Sequence, residues 1–158
     1  MKVAWTVEEL LPHRPPMVWL EGVEDFDAAA RALVATITPR RGDLPYDARL
    51  DGVPGWAAIE YMAQAAAALV GCRDRSQDPS RPPRPGLLLG TRRLELFTDR
   101  FAVAQTYRIR VGVEFEDSET ASFGCQIEDA EGRVLATAAL NAYRPDNPEK
   151  FIKELAVS

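Results

Sequence analysis

Histidine is almost missing from this chain: of 158 residues only His13 is one. The two cysteines, Cys72 and Cys125, stand far apart with no histidine at ligand spacing, so neither a disulfide framework nor a tetrahedral zinc site is encoded. Both are expected as buried thiols. Basic residues are in deficit, 19 Lys and Arg against 24 Asp and Glu, for a net charge of −5. No block of Lys and Arg is interleaved with aromatics, which excludes a nucleic-acid backbone as partner. Long apolar runs are lacking too. The longest, near residues 61 to 70, is interrupted by Gln64 and is too short to cross a bilayer. The opening Met1-Lys2-Val3-Ala4-Trp5 soon meets Glu8-Glu9, without the basic-then-apolar order of a secretory signal. The expected location is the cytoplasm. Nothing asks for a metal or an organic cofactor.

What remains is an ordinary globular composition, 46% hydrophobic and 27% charged, at a length suited to one domain over residues 1 to 158. Thr6 before Val7-Glu8-Glu9-Leu10-Leu11 predicts a capped helical turn with Glu9 at capping-box spacing, stopped by Pro12. After the turn His13-Arg14-Pro15-Pro16, residues 17 to 24 and 29 to 38 read as a strand pair with turn chemistry around Asp25 to Asp27. Three or four further strands are expected, with candidates at 87 to 98, 104 to 116, 120 to 129 and 133 to 144. The last two are joined as a hairpin through Glu128-Asp129-Ala130-Glu131-Gly132. Residues 73 to 86, rich in proline and arginine, read as a surface loop, and 145 to 158 as a tail able to form a short helix.

Between these lies one strongly helical segment, from about Gly55 to Gly71. Its alanines favour helix, Pro54 suits the first turn and Gly71 suits an exit. So many small residues let backbones approach closely, which predicts a central helix wrapped by a sheet. The fold class is therefore α+β, with a curved antiparallel sheet around one helix.

Three phrases in this order resemble bacterial 3-hydroxyacyl-(acyl carrier protein) dehydratases. Leu10-Leu11-Pro12-His13-Arg14-Pro15-Pro16-Met17 is similar to their opening. Val53-Pro54-Gly55-Trp56-Ala57-Ala58-Ile59-Glu60-Tyr61-Met62-Ala63-Gln64-Ala65 is similar to the turn leading into their central helix. Leu88-Leu89-Gly90-Thr91-Arg92-Arg93-Leu94-Glu95-Leu96 is similar to the strand that follows. The Val53-Pro54 turn joined to Ile59-Glu60-Tyr61-Met62-Ala63-Gln64 is most similar to the divergent dehydratase-like proteins of aryl-polyene biosynthesis clusters. The resemblance implies a hotdog fold that dimerises, as a homodimer or with another hotdog subunit, and that holds acyl thioesters in a tunnel between subunits.

Dehydration of a 3-hydroxyacyl thioester needs a base for the α proton, an acid for the departing hydroxyl and a donor for the enolate oxygen. The resembled enzymes combine a loop histidine with a carboxylate on the central helix of the other subunit, and use N–H groups at that helix start. Glu60 matches the carboxylate and Gly55 the glycine at the helix start. The structural alternatives are a Glu60 carboxylate bonded to neighbouring backbone and an ordinary Pro54-Gly55 turn; Gln64 reads as a structural hydrogen-bonder. The expected loop histidine is absent: the family spacing lands near Tyr46, within Asp43-Leu44-Pro45-Tyr46-Asp47. Tyr46, Asp47 and His13 remain as candidate second groups, with His13 expected mainly to pack at the turn into the first strand. Arg92 and Arg93, with Arg81 and Arg84 just before them, are candidate contacts for an acidic acyl carrier protein, or plain surface charges. Three functions stay open: a dehydratase, a non-catalytic hotdog subunit that pairs with a histidine-bearing one, and a thioesterase on the same fold.

Overall fold

The computed structural model describes residues 1–157. Thr6 caps a short helix α1 (Val7–Leu10) with the full capping box, its hydroxyl accepting from the Glu9 N–H while Glu9 accepts from the Thr6 N–H. Strands β1 (Gly22–Asp27) and β2 (Ala32–Ile37) form a hairpin. After β3 (Gly52–Pro54) and one 3-10 turn (Gly55–Ala57) comes the central helix α2 (Ala58–Gln77). Then follow β4 (Leu87–Leu96), β5 (Arg100–Ala102), β6 (Tyr107–Glu116), β7 (Thr120–Glu128), β8 (Val134–Tyr143) and helix α3 (Pro148–Val157).

Six strands form one antiparallel sheet in the order β1-β2-β6-β7-β8-β4, and β3 pairs with β5 as a separate two-stranded ribbon. Side chains that alternate inward along β2, β6, β7 and β8, among them Leu33, Ile109, Phe123 and Leu140, meet Ala58, Met62, Ala65 and Leu69 of α2. This is the hotdog arrangement, a helix wrapped by a curved sheet. Trp19, Tyr61, Phe101 and Tyr107 form an edge-to-face series, with centroids 5.7, 5.6 and 5.3 Å apart, that ties the loop before β1 through α2 to β5 and β6.

Four expectations are corrected. The turn between the first two strands falls at residues 28 to 31, not at Asp25 to Asp27: Phe26 is buried, and the Asp27 carboxylate accepts from the Ala30 N–H to start the turn. The central helix continues past Gly71 to Gln77, so the loop expected at 73 to 86 begins only at Asp78. Ionic partners stand in for apolar ones over that last stretch. Arg73 pairs with Glu116, Asp74 with Arg84, and Arg75 donates to the Glu9 carbonyl. Gly71 is required for closeness, not for an exit, because a Cβ there would sit 2.4 Å from the Leu10 carbonyl oxygen. The three-residue strands β3 and β5 were not expected at all. The tail does form a helix, α3, on which Phe151 packs against Tyr143 with ring centroids 5.2 Å apart.

Candidate active site

Glu60 lies in the first turn of α2 and lines a cavity of about 260 Å³ between that helix and strands β4, β7 and β8. Its placement depends on Gln64, one helical turn on and fully buried. Gln64 Nε2 donates to Glu60 Oε1 (2.8 Å) and to the Met17 carbonyl (2.6 Å), while Gln64 Oε1 accepts from the Trp19 N–H (2.8 Å). One amide thus satisfies two backbone groups of the loop before β1 and orients the carboxylate. Gln64 is the structural hydrogen-bonder that its place in the sequence suggests, and it positions Glu60 as well.

The loop it holds carries His13. His13 Nε2 comes within 3.5 Å of Glu60 Oε1, and both side chains are about one-third exposed or less, at 28% and 32%. This is longer than a good hydrogen bond. His13 Nδ1 is buried without a hydrogen-bond partner. A ring carrying its proton on Nε2 turns an N–H toward the carboxylate and leaves only a lone pair on the buried side, the less costly arrangement. The fold therefore brings His13 to Glu60 in the same chain.

Gly55 is placed differently from the expectation. Its N–H donates to the Asp99 carbonyl (2.8 Å), so it is not a free donor for a thioester oxygen. A Cβ on Gly55 would lie 2.5 Å from the Thr98 carbonyl oxygen, and one on Gly52 2.6 Å from that of Phe101. Glycine is needed at both places because the ribbon β3–β5 clamps the start of the helix. These contacts are those of a close turn, and they leave the Gly55 N–H engaged by backbone.

Tyr46 and Asp47 do not reach this cavity. The Tyr46 hydroxyl donates to Asp51 Oδ1 (3.0 Å), and the Asp47 carboxylate is paired with Arg49 (2.7 Å), so both are committed within their own loop. Arg49 holds the Asp47 carboxyl below the usual carboxylate range. Arg92 and Arg93 also lie away from it. A bulge between Arg92 and Glu95, with Arg93 at φ 55, breaks the alternation of β4. Arg93 then lines a separate groove beside Gly112, Gly124 and Ala139, 4.0 Å from Glu114. Of the four candidate arginines, Arg84 joins Glu60 in lining the cavity, through its pair with the buried Asp74 (2.9 Å), and Arg144 lines it as well. Neither Asp74 nor the pairing of Arg84 was foreseen, since both depend on the helix running past Gly71.

Cys72 and Cys125 are buried, and desolvation pushes each thiol up to about 12. So little thiolate is present near neutrality that neither is an activated nucleophile. Among the described residues no cluster of His, Cys, Asp and Glu could hold a metal ion, and no helix is long and apolar enough to cross a membrane.

A family model described as ApeP-like, ApeP dehydratase, matches residues 5–153. Among solved structures, the dehydratase heterocomplex ApeI:P from Xenorhabdus doucetiae contains a chain that superposes with a TM-score of 0.84. The two are 30% identical over 97% of this chain and 99% of that one. A homologue of HP0420 from Helicobacter felis has a TM-score of 0.65 at 13% identity, covering 93% of this chain and 94% of its own. A hypothetical thioesterase from Streptococcus pneumoniae, solved with coenzyme A, has a TM-score of 0.58 at 14% identity, covering 78% and 84%. These last two share the fold. A search of curated proteins gave no match.

Proposed function

This chain belongs to the ApeP-like dehydratase family, and from that premise we propose that it is the carboxylate-bearing half of a paired hotdog dehydratase that acts on acyl thioesters held by an acyl carrier protein in aryl-polyene synthesis. The observation that carries the reading is an asymmetry within the chain. Glu60 is held by Gln64 at the wall of a cavity, whereas the loop position that resembles the family's histidine is Tyr46, bonded to Asp51. One half of a two-subunit site is built and the other half is not. The similarity to a chain from a dehydratase heterocomplex supports a histidine-bearing hotdog partner as the source of the missing half.

The open edge of the sheet supports such pairing. The β1 edge is covered at Phe26 by Met1, whose backbone exchanges two hydrogen bonds with it (3.1 Å each). The β4 edge has no neighbour among the described residues, and Leu88, Leu89, Leu96 and Phe97 along and beyond it are exposed. An uncovered ten-residue edge with apolar side chains is a template for another strand.

In the paired site the partner's histidine takes the α proton and Glu60, protonated on Oε2, gives its proton to the departing 3-hydroxyl. The C–O bond breaks, the C=C bond forms and water leaves. Oε1 is anchored by Gln64, so Oε2 is the oxygen that carries the proton. Gly55 has no role in this scheme beyond admitting the helix start.

The 3.5 Å approach of His13 to Glu60 favours one second reading, a self-sufficient dehydratase in which His13 replaces the missing group. One experiment separates the two. A 3-hydroxyacyl carrier protein is incubated with this chain alone, with a histidine-bearing hotdog partner alone, and with both, and intact mass reports loss of water. The proposal expects loss only with both, abolished by Glu60→Gln in this chain. Loss with this chain alone supports the second reading. Loss with the partner alone, or persistence in Glu60→Gln, overturns the proposal.

A further inference from the structure

Along α2 the cavity lining runs from Glu60 through Ala63, Ala66, Ala67, Val70 and Gly71 to Asp74, a stripe with a carboxylate at each end and small apolar residues between. At 1.5 Å per residue its length is about 21 Å. Phe123, Leu140 and Ala142 line the cavity from the sheet. The Glu60 end is the one assigned to chemistry above. The far end carries charge: Asp74 is 5% exposed and accepts from Arg84 Nη2 (2.9 Å) and Nε (3.3 Å), with Arg81 at 3.9 Å. Arg144 also lines that end. It lies within electrostatic reach of Glu116, but Glu116 is already engaged by Arg73 and Arg31, and Arg144 has no ion pair among the described residues.

We infer that the groove receives a linear acyl chain with its thioester at Glu60, and that Asp74, Arg84 and Arg144 stop its far end and select a terminal hydrogen-bonding group over a methyl. This rests on the half-site reading of Glu60. A methyl pressed against this cluster strips water from charged groups and returns nothing. A terminal hydroxyl donates to Asp74 or accepts from Arg144, and a hydrogen bond to a charged group is worth about tenfold or more in affinity. The small side chains of Ala63 and Ala67 leave the floor clear for the chain between the two ends.

The test uses the full chain and two N-acetylcysteamine thioesters of equal length matched to the groove, one ending in a methyl and one in a hydroxyl, with binding followed by isothermal titration calorimetry. The hydroxyl-ended probe is expected to bind about tenfold tighter, with the preference lost in Arg144→Leu and in Arg84→Leu. Ala67→Phe, which narrows the floor, is expected to weaken both probes. Equal binding, tighter binding of the methyl-ended probe, binding of neither, or a preference unchanged in both arginine variants overturns the inference. Glu60-dependent dehydration by the paired subunits without an end preference overturns this inference alone. An end preference without such dehydration overturns the half-site reading and leaves the selectivity of the groove standing.

Discussion

His13 Nε2 and Gln64 Nε2 approach the same atom, Glu60 Oε1, at 3.5 and 2.8 Å, so one carboxylate oxygen is anchored by the amide and approached by the imidazole as well. The loop before β1 and the central helix meet at this oxygen. The placement of the carboxylate therefore depends on groups far from it in sequence.

Because the chain has a single histidine, its imidazole signals in a proton NMR spectrum need no assignment. Glu60→Gln should shift the His13 Cε1–H resonance at neutral pH while the folded dispersion of the spectrum persists. An unmoved resonance would show that the two side chains do not meet in solution.

Gln64→Ala leaves the Trp19 N–H and the Met17 carbonyl without their partner in a part-buried place. The expected loss is about 2 to 4 kcal/mol of unfolding free energy, the sum of two orphaned backbone groups. Urea denaturation followed by tryptophan fluorescence would measure it, and a loss under about 0.5 kcal/mol would count against the bridge.

Gly71→Ala should destabilise despite alanine's better helix propensity, since its Cβ would press on the Leu10 carbonyl oxygen and that backbone must move. A cost of about 1 to 3 kcal/mol is typical of such overpacking. Gly90→Ala, where nothing lies within 4 Å of the new Cβ, is the control, expected within about 0.5 kcal/mol of the parent.

Glu116 accepts two hydrogen bonds from Arg73 (2.8 and 2.7 Å), which hold its carboxyl below the ordinary value of 4.5. A carboxylate with a lowered folded value stabilises the protein above its unfolded value, and that contribution is lost as pH falls through the folded one. Stability should therefore drop in the acid range below 4.5. Glu116→Gln should lower stability at neutral pH and flatten this acid limb. Equal slopes in parent and variant, from urea midpoints across that range, would contradict the assignment.

With both thiols pushed up to about 12 and buried, iodoacetamide at neutral pH should leave Cys72 and Cys125 unmodified in the folded chain and label both in urea. Intact mass gives the count directly. Rapid labelling of either cysteine without denaturant would show that the core opens there.

The long strands and the wrapped helix could be read in advance because each is a local pattern, alternation over ten residues or an alanine-rich run, whereas Glu60 was singled out by the resemblance of the turn and helix around it to the dehydratases. What could not be read depended on partners distant in the chain. The ribbon strands β3 and β5 are three residues each, too short to show a period. Gly55 gives its N–H to Asp99, which no pattern around Gly55 announces. Arg92 and Arg93 were read as candidate carrier-protein contacts from their place on the strand after the central helix, and the bulge that carries Arg93 into a separate groove has no local signal in the sequence. His13 was expected to pack at a turn, and nothing near it in sequence indicates that Gln64 draws its loop to Glu60.

The clamp on the helix start also affects how the chain is made. The ribbon joins Gly52–Pro54 to Arg100–Ala102, so it encloses all of α2 and β4 between its two strands. During synthesis the helix that carries Glu60 is complete well before the segment that clamps its first turn has been added. Its apolar stripe must wait for the distant strands β6 to β8 as well, a non-local order that slows folding and leaves surface exposed in the interval.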